Sequence, residues 1–174
     1  MAIVNLKKRQ IECKIVYYGP GRCGKTTNLE YIHKAFKNQV KGDMVSINTD
    51  GDRTLFFDFL PVDIGKIHGF DIKIQLYTVP GQVKYNATRK LVLRGVEGVV
   101  FVADSAVVRR EKTILSLENL KENLAIYNKD MFNLPLVLQY NKRDLEEQGI
   151  PVLPVETLEQ DLNSELKVPY FEAS

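Results

Sequence analysis

The residues with the clearest chemical meaning lie near the start of the chain. Gly19-Pro20-Gly21-Arg22-Cys23-Gly24-Lys25-Thr26 has the spacing G-x-x-x-x-G-K-T, followed by Thr27. Glycines at the ends of such a loop let backbone N–H groups from Gly19, Gly21, Arg22, Cys23 and Gly24 close around phosphate oxygens. A following helix adds its positive N-terminal end. Lys25 then reaches the β- and γ-phosphates, and the Thr26 hydroxyl is placed to ligate Mg²⁺. A glycine turn with an ordinary helix cap is the bland alternative. A β-rich run before the motif and a helical pattern after it disfavour that alternative.

A second motif, Asn141-Lys142-Arg143-Asp144, follows another apolar run. A carboxylate such as Asp144 can accept two hydrogen bonds from the N1–H and exocyclic amine of guanine. Adenine offers no such donor pair, so an unpaired Asp would penalise ATP. By itself the motif is a common surface turn. Combined with a phosphate loop earlier in the chain, it points to a guanine nucleotide.

These motifs need elements to hold them at one edge of a sheet. Residues 11–18 are β-rich and end in Gly-Pro-Gly, and Leu29, Ile32, His33 and Phe36 recur at helical spacing. Residues 55–60 and 70–77 are expected to form a hairpin across a glycine-containing stretch, the second run alternating apolar with polar. Residues 99–103 form a continuous apolar run, as a buried central strand does. Leu115, Leu117, Leu120 and Leu124 mark a helix, 134–140 a strand, 157–166 a short helix capped by Thr157, and 169–171 a last strand. Strands alternating with helices predict an α/β fold with a mostly parallel sheet. Both motifs then fall at carboxyl ends of strands, where such sheets bind ligands.

With 174 residues, 44% hydrophobic and 26% charged, the chain suits a single globular domain over 1–174. A net charge of +2 gives no case for nucleic acid or a polybasic membrane anchor. The charge is uneven: residues 1–25 carry six basic side chains and one acid, residues 145–174 seven acids and one base. Two cysteines are too few for a disulfide scaffold, and no apolar run approaches the roughly 18 residues that span a bilayer. Without a signal peptide or lipidation motif, a cytoplasmic protein with no membrane anchor of its own is expected.

Over nearly its full length the chain resembles the Ras-like small GTPases. The resemblance rests on the two motifs above and on Glu172-Ala173-Ser174, which matches the start of the last nucleotide motif. It is closer still to the bacterial mutual gliding-motility A (MglA) polarity GTPases. Three phrases carry this: Lys14-Ile-Val-Tyr-Tyr-Gly-Pro-Gly21, Asp52-Arg-Thr-Leu-Phe-Phe-Asp-Phe-Leu60 and Leu76-Tyr-Thr-Val-Pro-Gly-Gln82. The resemblance implies a P-loop GTPase fold, with one antiparallel hairpin pair in a twisted parallel sheet and helices on both faces. It also implies a final helix after Ser174, so the domain is expected to be C-terminally short.

The same resemblance distributes roles. Thr54 becomes the first-switch threonine, on Mg²⁺ and the γ-phosphate, and Arg53 beside it a catalytic arginine acting in cis. A surface Arg paired with Asp50 or Asp52 is the competing reading. Gly81 offers an N–H to the γ-phosphate, Gln82 orients the attacking water, and Lys25 completes the catalytic set. Ser174 borders the base. Thr78 stands where Ras-like proteins have the aspartate of Asp-x-x-Gly, which leaves the metal without that negative charge. The cofactors implied are GTP/GDP and Mg²⁺. The implied partners are a dimeric roadblock-domain GTPase-activating protein and motility or polarity effectors, with recruitment to a cell pole.

Other residues carry less. Cys23 is expected as a small buried filler, His33 and His68 suggest no metal, Lys7-Lys8-Arg9 is a solvated flank, and Asp104 caps a helix. Two rival functions stand beside a slow, partner-activated GTPase switch. One is a GTP-dependent binding module with negligible hydrolysis, which Thr78 favours. The other is a P-loop kinase or ATPase.

Overall fold

The strand leading into the phosphate loop shows how the layers form. In β2 (Gln10–Tyr18) alternate side chains point to opposite faces. Val16 and Tyr18 join a large core cluster, whereas Ile15 and Tyr17 pack against a smaller one built on Leu29, Leu60, Val62 and Leu76. The sheet is therefore covered on both sides. In the computed structural model, which describes residues 2–40, 42–47 and 57–174, α1 (Lys25–Ala35) supplies Leu29 to the smaller cluster. On the other face α2 (Asn86–Leu93) supplies Val92 and Leu93, and α3 (Arg110–Ala125) supplies Leu117, Leu120 and Leu124.

The remaining strands are β1 (Ile3–Asn5), β3 (Val45–Ile47), β4 (Phe57–Ile67), β5 (Phe70–Thr78), β6 (Gly98–Asp104), β7 (Leu136–Asn141) and β8 (Tyr170–Glu172). Their order is β3-β4-β5-β2-β6-β7-β8, with β1 paired to β2. β5, β2, β6, β7 and β8 run parallel, and β4–β5 is the antiparallel hairpin. The pairings β3–β4 and β1–β2 are also antiparallel. β6 is the buried central strand that its apolar run predicts.

Several local expectations need correction. The hairpin's first strand runs on to Ile67, past the glycine: Gly65 sits at a bulge with φ 91° and lets the strand bend without ending. Leu115 is 57% exposed, because two residues from Leu117 is about 200° around a helix. Thr113, Ser116, Asn119 and Asn123 are buried in its place, Asn119 and Asn123 as partners of the Tyr18 hydroxyl. Thr157 does not cap its helix. The helix α4 spans Val155–Leu158, continues as a wider turn over Glu159–Asn163, and begins behind Pro154, whose carbonyl takes the Thr157 and Leu158 N–H groups. Proline's fixed φ suits a helix entry and overrode the threonine. Lys7-Lys8-Arg9 is the exposed flank expected, within the turn between β1 and β2.

Candidate functional site

The carboxyl ends of β2, β5, β6 and β7 meet at one edge, as the parallel order requires. β2 ends at Tyr18, and residues 19–24 turn directly into α1. Gly24 has φ 101°, and a Cβ placed on it would lie 2.3 Å from Asn141 Nδ2. Only glycine permits that approach. The Asn141 amide uses it to donate to the Cys23 carbonyl at 2.8 Å, joining the phosphate loop to the base motif. Asn28 on α1 reinforces the join: its amide and that of Gln139 on β7 exchange two hydrogen bonds of 2.9 Å. No local sequence signal marks Asn28 or Gln139, because their pairing spans 111 residues.

Lys25 is buried, with Nζ donating to the Gly19 and Pro20 carbonyls at 3.1 and 2.6 Å and lying 3.6 Å from Cys23 Sγ. Desolvation pushes its ammonium below the usual lysine range. Cys23 itself is fully buried, the filler expected. A cavity of about 580 Å³ is lined by Gly21, Arg22, Gly24, Lys25, Thr26, Thr27, Gly81, Gln82 and Lys142, with Val79. The structure thus brings most of the expected phosphate-binding residues to one space. Gln82 is exposed at its rim. Arg53 and Thr54 lie outside the described residues.

Asp58, which the motif reading passed over, sits beside Thr26. It is only 3% exposed; its Oδ2 accepts from Thr26 Oγ1 at 2.6 Å and Thr78 Oγ1 at 2.8 Å, and its Oδ1 from Ser46 Oγ at 2.7 Å. The signal was present in the strand pattern. Asp58 shares the buried side of β4 with Leu60 and Val62, and an acid in such a row is rarely there for packing. One carboxylate among hydroxyl oxygens is a hard donor set, suited to an ion such as Mg²⁺ that keeps several waters. Among the described residues no cluster of three or more His, Cys, Asp or Glu offers a rival metal site.

On the base side Lys142 adopts a left-handed φ of 67°, and its Nζ meets the buried Asp104 carboxylate at 2.9 Å. Asp144 is half-buried and accepts from Gln148 Nε2 at 3.2 Å. The Arg143 N–H donates to the Ala173 carbonyl at 3.0 Å, and the Ala173 N–H to the Tyr140 carbonyl at 2.9 Å. These bonds bring Glu172-Ala173-Ser174 alongside the base motif. Asp104 differs from its expected role. Its Oδ1 does accept the Ala106 N–H at 3.1 Å, but Ala106 itself is the cap of the 3-10 turn Val107–Arg109 that runs into α3, and Asp104 Oδ2 serves Lys142 and Arg109.

Comparison with known sequences agrees with this geometry. The Ras family profile matches residues 14–174, which includes the phosphate loop, the Thr78–Gln82 turn and the base motif. The chain belongs to the Ras family. Among its relatives, the mutual gliding-motility protein MglA of Myxococcus xanthus (strain DK1622) is 52% identical over 173 residues, covering 99% of this chain and 86% of that protein. The Ras-related proteins RABG3f of Arabidopsis thaliana and Rab7 of Cenchrus ciliaris are each 26% identical over 170 residues, covering 96% of this chain and 75% of theirs. As a Ras-family member the chain is a small GTPase of the GTP-binding class. No helix among its described residues is long and apolar enough to cross a membrane.

Proposed function

We propose that this protein is a GTP/GDP switch that hydrolyses GTP slowly until a partner accelerates it. The observation that supports this most directly is the 2.8 Å bond from Asn141 to the Cys23 carbonyl. That bond holds the triphosphate-binding loop and the guanine-reading turn as one unit, so base and phosphate recognition are coupled.

Lys25 neutralises the β- and γ-phosphates from within a desolvated loop, where the same charge acts more strongly than in water. Thr26 and Asp58 would hold Mg²⁺, with Thr54 joining them in the GTP state. The ion, when bound, neutralises charge on the phosphate oxygens. Asp58 answers the concern raised by Thr78: the negative charge comes from β4 instead of the end of β5, and Thr78 becomes its hydrogen-bonding support. This weakens the reading as a non-hydrolysing scaffold. Gly81 offers its N–H to the γ-phosphate and Gln82 orients the attacking water. Arg53 offsets charge developing on the transferring group. An arginine of that kind contributes on the order of 10³–10⁵ in rate, or about 4–7 kcal/mol of barrier.

Loss of the γ-phosphate would release the loops around Thr54 and Gln82 and remake the surface they form. By similarity to MglA, that surface serves a dimeric roadblock-domain activator and motility or polarity effectors, with recruitment to a cell pole. The test has two parts. GTP and GDP should displace a fluorescent guanine nucleotide while ATP does not. Single-turnover hydrolysis should accelerate when the roadblock-domain protein is added, and Arg53→Ala should abolish the acceleration. Equal displacement by ATP, or no hydrolysis under either condition, would sink the proposal.

A further inference from the structure

Arg109 lies outside the nucleotide motifs, yet it contacts the phosphate loop directly. It lies between β6 and α3, and its Nη2 donates to the Gly21 carbonyl. Its Nε stands 3.6 Å from Asp104 Oδ2, a carboxylate only 1% exposed. The same oxygen receives Lys142 Nζ at 2.9 Å. One buried carboxylate thus connects a residue gripping the phosphate loop to a residue of the base motif.

The consequence lies in peptide geometry. The Gly21–Arg22 bond is trans, so its C=O and N–H point in opposite directions. Gly21 and Arg22 border two cavities: the 580 Å³ phosphate cavity, and one of about 400 Å³ that Arg109 and Lys112 also line. Arg109 borders only the second. Holding the Gly21 carbonyl towards Arg109 therefore turns the Arg22 N–H to the opposite side of the peptide, away from Arg109. Arg22 also has φ 63°, a left-handed conformation that non-glycine residues seldom keep without an outside hold.

We propose that Arg109 is a positioning residue for phosphoryl transfer, fixing the Gly21–Arg22 peptide so that its N–H faces the phosphates, and that Asp104 aims Arg109. The inference rests on the functional reading above. A backbone donor of this kind acts where negative charge grows on the leaving phosphate oxygen, and its value depends on being aimed before reaction. Arg suits the task because its planar fork can serve a carbonyl and a carboxylate together, which a lysine ammonium does less well.

The test compares the full chain with Arg109→Gln, Arg109→Lys, Asp104→Asn and Lys112→Ala. Three quantities are read: single-turnover GTP hydrolysis, the ³¹P resonance of the β-phosphate of bound GDP, and the melting temperature of the nucleotide-free protein. Arg109→Gln should slow hydrolysis about tenfold, a modest share of the 10²–10³ lost when an oxyanion donor is deleted outright. It should also shift the β-phosphate resonance while the melting temperature holds. Arg109→Lys should recover part of the rate, and Asp104→Asn should move the resonance in the same direction as Arg109→Gln. Lys112→Ala, which removes a cation from the same cavity, should match the unsubstituted protein. An unchanged rate and resonance in Arg109→Gln overturns the inference, as does an equal loss in Lys112→Ala. A fall in melting temperature with no change in resonance also overturns it. Failure of the unsubstituted protein to bind GTP overturns the functional reading itself.

Discussion

Asp58 and Thr78 are joined twice: the Asp58 N–H donates to Thr78 Oγ1 at 2.8 Å, and that hydroxyl donates to Asp58 Oδ2 at 2.8 Å. They sit on adjacent strands of the β4–β5 hairpin. The hydroxyl at the end of β5 therefore orients a carboxylate delivered by β4, and Thr26 contacts the same oxygen. The strand pairing moves the acid without removing it from the site.

Replacing Asp58 with Asn should therefore weaken Mg²⁺ retention while preserving the fold. The amide keeps an oxygen for Thr26 or Thr78 but loses the charge. We expect the Mg²⁺ concentration that slows GDP release by half to rise roughly tenfold, equivalent to about 1.4 kcal/mol. Stopped-flow release of a fluorescent GDP across a Mg²⁺ series measures it. An unchanged midpoint would place the metal elsewhere.

Thr78→Asp restores the residue common in Ras-like proteins, yet here it should be harmful. It sets a second carboxylate against Asp58 and removes the hydroxyl donor. Two carboxylates at that distance force the pair's upper pKa above the unfolded value. A raised folded pKa favours folding at low pH and costs stability as pH rises through it. The melting temperature of Thr78→Asp should fall further below the unsubstituted protein at pH 8 than at pH 5, and Mg²⁺ with GDP should recover part of the loss. Equal deficits at both pH values would contradict this.

What the chain reveals before folding is mostly local. The phosphate loop, the base turn and the β6 run are contiguous, so their chemistry and flanks could be read together. Asp58, Asn28 and Gln139 act through partners on other strands and helices, and no spacing rule connects them. The hidden role of Asp104 has the same origin. Capping is a two-residue relation visible in sequence, whereas its pairing with Lys142 spans 38 residues and exists only because β6 and β7 run side by side. Leu115 misled because leucine spacing alone did not show that polar residues share the inward face of α3.

Lys25 gives a pH signature. Burial lowers its pKa in the free protein, and phosphate anions would raise it again. Binding is then coupled to proton uptake. Affinity should stay level below the lowered pKa and decline as the pH rises from there towards the bound value. Calorimetric titration of GDP in two buffers of different ionisation enthalpy, between pH 7 and 10, reads the proton uptake directly. Absence of proton uptake across that range would show that Lys25 does not meet the phosphates.

Asn141 and Asp144 lie three residues apart but should fail differently. Asn141→Ala removes the donor to the Cys23 carbonyl and leaves that acceptor without its partner, which costs about 1–3 kcal/mol. The loop itself loosens, so GTP and GDP should both weaken by ten- to a hundred-fold. Asp144→Asn leaves the loop intact and should weaken guanine nucleotides while narrowing their advantage over inosine nucleotides, which lack the exocyclic amine. Competition binding with GDP, IDP and ADP separates the two patterns. Identical ratios in both variants would refute the division of labour.

Gly81 offers the sharpest test of the contact between the phosphate loop and the turn carrying Gln82. A Cβ at Gly81 would lie 2.2 Å from Gly21 Cα and 2.4 Å from Gly21 N. Both are backbone atoms, so no side chain can rotate away and one loop must retreat. Gly81→Ala should therefore push Gln82 from the cavity rim and displace the Gly21 peptide that Arg109 grips. Hydrolysis should fall at least a hundredfold, because a displacement of about 1 Å at a reacting centre costs that much. GDP affinity should fall far less, since the three atoms nearest the added methyl belong to Gly21 and Pro20 and none to Lys25 or the base motif. Proportionate losses in hydrolysis and GDP affinity would mean that the Gly21–Gly81 contact serves binding and not the positioning of Gln82.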